Sequence, residues 1–275
     1  MSDVLVVTGT GGMGREAARR LAPGRVTLLA DRDPEALETA RADLADRGHD
    51  VRSCAVDVAD ADSVRHLATT AQALGDVRYL VHTAGVSPEQ ADPALILRVD
   101  LLGTALVVDA FGAVVAPGGA GVVIASMIGH MGLVRVPRDD AAALGERPPE
   151  ELLDMPMCAP DRFENSQMAY GFAKQANLLR VRRAAVTWGR RGARLNSVSP
   201  GIVTTPMGEQ ELAGPFGAYI RELADTSPSG RAGTAEDVAG VVEFLLSPAA
   251  GYVTGTDVLV DGGVIAAMRV GAGHA

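Results

Sequence analysis

The chain has 275 residues, of which 47% are apolar and 21% charged, and its formal net charge at pH 7 is −9. This apolar content is ample for a hydrophobic core and excludes a disordered chain. The acidic balance and the scattered arginines argue against a nucleic-acid surface, and no apolar run approaches the roughly 20 residues that cross a bilayer. The start of the chain lacks the pattern of a secretion signal, and Cys54 and Cys158 make neither a disulfide scaffold nor a metal site. We therefore expect a cytoplasmic protein with reduced thiols and no bound metal.

The basic residues are arginines with one exception. Of the 25 basic residues, only Lys174 is a lysine. Codon usage explains an arginine-rich chain, and Lys174 is then one more surface charge. The other interpretation is that an arginine cannot replace this lysine, which requires a function for it.

Short apolar runs alternate with helical stretches along the chain. In chain order, the pattern predicts strands at 4–7, 26–30, 51–56, 79–82, 122–125, 195–198 and 258–260. Helices are predicted at 15–21, from Pro34 onward, and at 60–74, 95–115, 168–188 and 235–246. Apolar strands that alternate with helices are typical of a parallel sheet covered on both faces. We thus predict an α/β fold: a doubly wound, parallel, seven-stranded, Rossmann-like sheet with helices on both faces, in a single domain over 1–275.

One segment, at about 132–167, lacks this alternation. It contains five prolines, and only 149–154 is predicted to form a short helix, with Leu152 and Leu153 facing inward. A loop of this length in a compact domain is usually functional or mobile, so we expect a lid over the substrate. Methionines would line its mouth or, alternatively, fill gaps in the core. They are Met127, Met131, Met155, Met157 and Met207.

The first predicted strand runs into a glycine-rich loop. Gly9, Gly11 and Gly14 fit the spacing G-x-G-x-x-G, which lets a backbone approach a pyrophosphate at a helix N-terminus. Asp31 follows the second strand, where a carboxylate accepts hydrogen bonds from a ribose diol and repels a 2′-phosphate. The pattern favours NAD over NADP, although Arg32 would pair with that phosphate. Alternatively, Asp31 is a turn acid or the cap of the next helix.

Tyr170 and Lys174 are four residues apart on a predicted helix and therefore share one face. A phenol with a pKa near ~10 is a poor base at neutral pH. A nearby ammonium stabilises the phenolate and lowers that pKa, which makes the tyrosine a usable general acid and base. By itself, this spacing occurs often by chance.

Together, these motifs resemble those of the short-chain dehydrogenase/reductase family, in its single-domain branch, over nearly the whole chain. The further matches, in chain order, are HTAG at 82–85, ASMIG at 125–129, NSVSPGIVTT at 196–205, GRAG at 230–233, TG at 254–255 and DGG at 261–263. Each match is modest alone, but their order and spacing are specific to the family.

The resemblance implies a mechanism that uses four residues. Ser126 hydrogen-bonds the substrate oxygen, Tyr170 passes a proton to or from that oxygen, and Lys174 lowers the tyrosine pKa and binds the nicotinamide ribose. A hydride moves between the substrate carbon and a nicotinamide that the protein positions. Asp100 stands where the family has an asparagine that holds a water of the proton relay. It is expected to accept from water and pair with Lys174, or else to have no role.

The same resemblance identifies the residues that bind the cofactor. Asp57 is expected at the adenine ring and Thr205 at the nicotinamide amide. The predicted set is Gly9, Gly11, Gly12, Met13, Gly14, Asp31, Arg32, Asp57, Val58, Thr83, Ala84, Gly85, Tyr170, Lys174, Pro200, Gly201, Val203 and Thr205.

The chain also departs from the family pattern elsewhere. The glycine loop is one residue short between Gly9 and Gly12, which predicts a tighter turn. His82 replaces an asparagine and is expected to be structural, bonded to the backbone of neighbouring strands. Ser126 and Tyr170 are 44 residues apart, far more than is usual in the family, and the excess is the segment at 132–167.

The function expected from the resemblance is an NAD-dependent interconversion of a secondary alcohol and a ketone, on an apolar or cyclic, steroid-like skeleton. The alternatives are a reductase of a natural-product or acyl intermediate, or a cofactor-binding regulator without catalysis. The expected partner is a small-molecule alcohol or ketone, with no nucleic acid and no membrane. The resemblance further implies a homotetramer or dimer formed through the helix of Tyr170. Four apolar residues of that helix would pack in the interface or, alternatively, against their own sheet: Leu178, Val181, Ala185 and Trp188.

Overall fold

The structure, a computed structural model, describes residues 2–272. Seven strands form one sheet, and they are β1 (Asp3–Thr8), β2 (Val26–Asp31), β3 (Val51–Ala55), β4 (Asp76–His82), β5 (Ala120–Ile124), β6 (Arg194–Pro200) and β9 (Asp257–Val260). Two short strands pair separately, β7 (Val203–Thr204) with β8 (Gly233–Thr234).

All strand pairs of the large sheet are parallel, in the order β3-β2-β1-β4-β5-β6-β9. From β1 the chain continues to β2 and β3 on one side, and it then returns to β4 and continues to β5, β6 and β9 on the other side. In such sheets, a crevice opens at the carboxyl ends of the strands where the direction reverses. The prediction of a doubly wound, parallel, seven-stranded sheet is confirmed, with strand ends that differ by at most three residues.

Helices cover both faces of the sheet. The apolar strands β1 and β5 are buried on both sides, and such strands need a helical layer on each face. They are α1 (Gly12–Leu21), α2 (Pro34–Asp46), α3 (Ala61–Leu74), α4 (Pro93–Ile96), α5 (Thr104–Val114), α6 (Arg138–Glu146), α7 (Ser166–Arg190), α8 (Pro206–Ala213), α9 (Gly217–Thr226), α10 (Ala235–Leu246) and α11 (Val264–Ala272). One core cluster joins the sheet to α3, α5 and α7, and a second joins it to α1, α2 and α10.

The predicted helix at 95–115 is not a continuous α-helix. Between α4 and α5, residues Leu97–Gly103 form a π-helical stretch, and Asp100 within it is fully buried. π-helical turns inside α-helices frequently mark functional sites. Here the turn carries a buried carboxylate, for which the sequence pattern gave no conformational signal.

The segment at 132–167 contains a helix that the sequence did not predict, α6, followed by three short 3₁₀ turns. Its apolar side chains pack against the outer side of α7, in a cluster that includes Leu144, Leu152, Met155, Cys158, Phe163, Phe172 and Ala176. Leu152 faces inward as expected, after a 3₁₀ turn at Pro149–Glu151.

A buried arginine of α7 fixes this segment. The Arg180 guanidinium donates to the carbonyl oxygens of Gly145 and Arg147 at 3.4 and 2.6 Å, and it pairs with Asp109 of α5 at 3.3 Å. The Arg180 side chain is buried, while Asp109 is partly exposed. The middle of the segment therefore lies along α7, and the expected lid over the substrate is wrong for that part.

The four apolar residues of α7 that were candidates for an interface are buried within the chain, namely Leu178, Val181, Ala185 and Trp188. Of these, Val181, Ala185 and Trp188 belong to the core cluster between α7 and the sheet.

Within residues 2–272, no helix is both long and apolar enough to span a bilayer.

Candidate active site

The glycine-rich loop packs directly against the turn after β4. Gly9 has a φ of +88°, and a Cβ there would lie 2.6 Å from the amide nitrogen of Ala84. A Cβ on Gly14 would overlap the carbonyl oxygen of Gly9. Side chains at either position would push the loop out of place, so this turn needs both glycines.

The start of α1 is open to an anion. Its N-cap residue, Gly11, supplies no side-chain cap, and a Cβ at Gly11 would meet nothing within 4 Å. The first N–H groups of a helix lack partners within the helix, and together with the helix dipole they attract negative charge. This cradle fits a pyrophosphate.

A cavity of about 440 Å³ extends from this cradle along the carboxyl ends of β1, β2 and β4. It is lined by most of the residues predicted to bind the cofactor: Gly9, Gly11, Gly12, Met13, Gly14, Asp31, Arg32, Asp57, Val58, Thr83, Ala84, Gly85 and Thr205. The fold thus brings together, around one cavity, predicted cofactor residues from five separate segments of the chain.

The Asp31 carboxylate is held by its own chain at the edge of this cavity. Its Oδ2 accepts from the backbone N–H and the hydroxyl of Thr10 at 2.6 and 2.8 Å, and its Oδ1 accepts from the N–H of Asp33 at 3.0 Å. The cap of α2 is Asp33 and not Asp31, which removes the alternative of a helix cap. A carboxylate has about four acceptor positions, so Asp31 retains capacity for a ribose diol.

A second cavity, of about 470 Å³, adjoins the first at three residues that line both: Met13, Thr205 and Met207. It contains the predicted catalytic residues Ser126 and Tyr170. Pro200, Gly201 and Val203, which were predicted to bind the cofactor, line this second cavity and not the first. A nicotinamide placed where the two cavities meet would reach the catalytic residues and these three predicted cofactor residues.

Methionines line this second cavity, as one of the two interpretations expected. Met127, Met131 and Met207 do so, together with Met13, Met168 and Met268. Met155 and Met157 pack instead in the apolar cluster along α7, which agrees with the alternative interpretation that they fill gaps in the core. Of the segment at 132–167, only Leu133, Asn165 and Gln167 reach the cavity, while α8 and α9 form much of its wall.

Tyr170, Lys174 and Asp100 form a row of interacting groups below the second cavity. The Nζ of Lys174 lies 5.1 Å from the centre of the Tyr170 ring and 2.8 Å from Oδ1 of Asp100. Lys174 is 5% exposed and Asp100 is not exposed at all. The other oxygen of Asp100 accepts from the N–H of Val86 at 3.3 Å. The expected pairing of Asp100 with Lys174 is therefore present.

The charges in this row act on the tyrosine in opposite directions. Burial raises the pKa of Tyr170 to about 12, while Lys174 lowers this pKa and Asp100 raises it. Burial also raises the pKa of Asp100, against the attraction of Lys174. Burial opposes the charge on Lys174, but Asp100 and Tyr170 outweigh it and raise the lysine pKa. The lysine thus carries its charge next to both partners.

Ser126 follows β5 and caps a 3₁₀ turn at Met127–His130, where its Oγ accepts from the N–H of Ile128 at 3.3 Å. At the end of the turn, Nε2 of His130 bonds Oδ2 of Asp257 at 2.8 Å. This bond anchors the turn to β9. The Ser126 side chain also hydrogen-bonds that of Tyr170, which lowers the pKa of the phenol, so the two reactive groups adjoin each other in the cavity.

His82 lies in the core, as expected for a structural histidine. Its ring nitrogens bond the hydroxyls of Thr8 at 2.6 Å and Thr104 at 3.1 Å, where backbone partners were expected. Burial lowers the pKa of His82 to about 3, so the ring is neutral at physiological pH.

Two glutamates that the sequence analysis did not identify also line the second cavity. Glu211 lies on α8, and Glu89 lies in the loop between β4 and α4. Nothing in their local sequence signals this, because the fold alone brings α8 and that loop together.

Comparisons with known proteins agree with this arrangement. A short chain dehydrogenase family profile matches residues 3–138, and an enoyl-(acyl carrier protein) reductase profile matches 151–265. The chain is 38% identical over 264 residues to the short-chain dehydrogenase/reductase bsc3 of Alternaria brassicicola, covering 96% of each protein. It is 31% identical over 237 residues to the 3-alpha-hydroxysteroid dehydrogenase/carbonyl reductase of Comamonas testosteroni, covering 81% of this chain and 89% of that protein. The crystal structure of levodione reductase superposes with a TM-score of 0.76 at 27% identity, covering 97% of this chain and 98% of that one.

The fold and the paired cavities define a nucleotide-binding oxidoreductase architecture. The chain belongs to the short-chain dehydrogenase/reductase family, whose members act on hydroxyl and carbonyl groups of small molecules.

Proposed function

We propose that this protein is an NAD-dependent oxidoreductase that interconverts a secondary alcohol and a ketone on an apolar or cyclic, steroid-like skeleton. One observation supports this most directly. The Tyr170 and Ser126 side chains line a methionine-rich cavity that adjoins the nucleotide cavity, and Lys174 lies behind the tyrosine. Such a cavity suits an apolar body whose carbinol carbon reaches the junction.

In the proposed reaction, the Ser126 hydroxyl donates to the substrate oxygen and stabilises the charge that develops there. The Tyr170 oxygen takes the proton of the alcohol during oxidation and returns it during reduction. Lys174 favours the phenolate, and Asp100 holds Lys174 in position through the ion pair at 2.8 Å. The apolar lining limits water around these groups.

The proposed cofactor is NAD, and NADP is the less favoured alternative. When bound, NAD supplies the hydride acceptor or donor. The glycine cradle would hold its pyrophosphate, and Asp31 would accept from the adenosine ribose. The negative charge of Asp31 opposes a 2′-phosphate, whereas Arg32 beside it would attract one.

The protein is further proposed to act in the cytoplasm as a dimer or tetramer. Because α6 and the turns after it cover much of the outer side of α7, an interface through that helix has to include this segment.

The enoyl-(acyl carrier protein) reductase match at 151–265 favours a second candidate, the reduction of an acyl or natural-product intermediate. A regulator without catalysis would bind NAD and leave Ser126, Tyr170 and Lys174 without a role. Turnover distinguishes both enzyme functions from such a regulator.

A substrate screen tests the proposal. Secondary alcohols are incubated with NAD or NADP, and the matching ketones with the reduced cofactors, and the nicotinamide absorbance is followed. We expect turnover of cyclic alcohols with a preference for NAD. Turnover with NADP alone would contradict the role of Asp31, and cofactor binding without any turnover would favour the regulator.

A further inference from the structure

The second cavity is lined mainly by apolar residues and has one acidic wall. Glu211 and Glu89 line it together with Ser126 and Tyr170, so the carboxylates belong to a cavity that already contains the reactive groups. Among residues 2–272, neither carboxylate accepts a hydrogen bond or forms an ion pair. Glu211 is half-buried, and a half-buried carboxylate without a donor is costly to the protein alone, whereas Glu89 is exposed.

The charges around Glu211 show how these groups face each other. Burial and the neighbouring charge of Glu89 raise the pKa of the Glu211 carboxyl, and Lys174 lowers it. Glu211 in turn raises the pKa of Tyr170. The nearby titratable groups are therefore Glu89 from the β4–α4 loop, Tyr170 and Lys174 from α7, and Asp100 from the π-helical turn. The only cation among them, Lys174, is already paired with Asp100.

The position of Glu89 depends on a glycine after α8. A Cβ on Gly214 would lie 2.7 Å from the carboxyl carbon of Glu89 and 2.9 Å from each of its oxygens. The carboxylate of Glu89 thus packs against the backbone at the end of α8, and a larger residue at position 214 would displace the end of this flexible side chain.

Apart from Ser126 and Tyr170, the other polar side chains that line the cavity are Asn165, Gln167, Thr205 and Tyr219, and none of them is a carboxylate. The side chains near the mouth of the cavity include Leu133, Phe216 and Tyr219, which are 40%, 50% and 50% exposed. A ligand that fills the cavity therefore meets a mainly apolar surface, the reactive Ser126 and Tyr170, a few further neutral polar groups and two carboxylates. The group that complements two acceptors is a hydrogen-bond donor.

We propose that the cavity selects substrates that carry a hydrogen-bond donor, an ammonium or a hydroxyl group, on an apolar ring remote from the reacting carbinol. Glu211 is the specificity-determining residue, and Glu89 assists it. This inference rests on the proposed oxidation of alcohols at Tyr170. A substrate with a carboxylate at the remote position is rejected, because it would bring a third negative charge to the same wall.

A series of 4-substituted cyclohexanols tests the selection, since the ring and the reacting carbinol stay the same. The four probes carry an amino group, a hydroxyl group, hydrogen or a carboxylate at position 4. Binding to the Tyr170→Phe protein with NAD is measured by calorimetry, and this complex does not turn over. We expect the amine and the diol to bind at least about tenfold more tightly than the carboxylate, a ratio that corresponds to about 1.4 kcal/mol.

The matched variants are Glu211→Gln and Glu209→Gln in the same Tyr170→Phe protein. Glu209 lies on the same helix but is exposed and does not line the cavity. Glu211→Gln is expected to reduce the ratio to about threefold or less, while Glu209→Gln keeps it. Equal binding of the amine and the carboxylate, no binding of any probe, or an unchanged ratio in Glu211→Gln would overturn the inference.

The activity of the unmodified enzyme separates the two proposals. Turnover of cyclohexanol without discrimination among the probes contradicts the inference and leaves the alcohol dehydrogenase proposal intact. Selective binding without turnover of any probe supports the acidic wall and contradicts the proposed reaction.

Discussion

Replacing Asp100 by asparagine should move the pH dependence of alcohol oxidation to lower pH. The carboxylate lies 2.8 Å from the Nζ of Lys174, which itself lies 5.1 Å from the centre of the Tyr170 ring. Asp100 therefore offsets much of the effect of the lysine on the phenol, and it raises the pKa of Tyr170. An asparagine keeps the size and a hydrogen-bond acceptor but removes the charge.

The geometry gives the size of this effect. A unit charge within about 8 Å of the phenolate, at an effective dielectric constant of about 20, interacts with it by about 2 kcal/mol, or about 1.5 pKa units. Removing the negative charge stabilises the phenolate and lowers the pKa of Tyr170. Because oxidation needs the phenolate as the base, the rising limb of the rate moves down in pH by a similar amount.

The assay is the pH profile of kcat/KM for alcohol oxidation, measured for the wild type and Asp100→Asn. Asp109→Asn is the control, since it removes an acid from α5 that pairs with Arg180 and does not line the cleft. Lys174 loses its buried partner in Asp100→Asn, so the free energy of unfolding should fall by about 3 kcal/mol. Circular dichroism shows whether the variant remains folded. A folded variant with an unshifted profile would refute the electrostatic coupling.

Three other substitutions test separate parts of the account. Lys174→Arg should lower kcat/KM at least about 100-fold, because a guanidinium fits poorly where a lysine is 5% exposed and contacts Asp100 at 2.8 Å. A kcat/KM within threefold of the wild type would mean that the single lysine at this position has no special function. Asp31→Asn should raise the ratio of kcat/KM for NADP over NAD at least about tenfold, since the charge that repels a 2′-phosphate is lost; an unchanged ratio argues against that role. Leu152→Ala should reduce the free energy of unfolding in urea by about 2–5 kcal/mol, because Leu152 is fully buried against α7; a change below about 1 kcal/mol would mean that the segment is not part of the cooperative core.

The sheet was predictable because its signal is local. Strands such as β1 are short runs rich in valine and leucine, and the glycine loop after β1 is required by close backbone contacts at Gly9 and Gly14. The cofactor residues follow, since the carboxyl ends of neighbouring parallel strands meet at one edge of the sheet. The strand ends were less accurate: β4 begins at Asp76, three residues before the predicted start, where the alternation of apolar residues is weak.

Other features depend on tertiary contacts and leave little trace in the local sequence. α6 carries only one fully buried large side chain, Leu144, and its helical state depends on packing against α7. The π-helical turn that carries Asp100 has an ordinary apolar sequence. The hydrogen bonds from Thr10 to Asp31 join the loop after β1 to the end of β2, and the proximity of Glu89 to Glu211 depends on where the fold places α8.

Alcohol oxidation by the wild type and by Tyr170→Phe, at matched cofactor saturation, tests the central claim most directly. The account predicts NAD-dependent oxidation of a cyclic secondary alcohol by the wild type. It predicts at least a 1,000-fold lower kcat, about 4 kcal/mol of transition-state stabilisation, in a variant that binds NAD with unchanged affinity. Equal rates for the two proteins would contradict the account, because the proton would then be transferred without the Tyr170 hydroxyl.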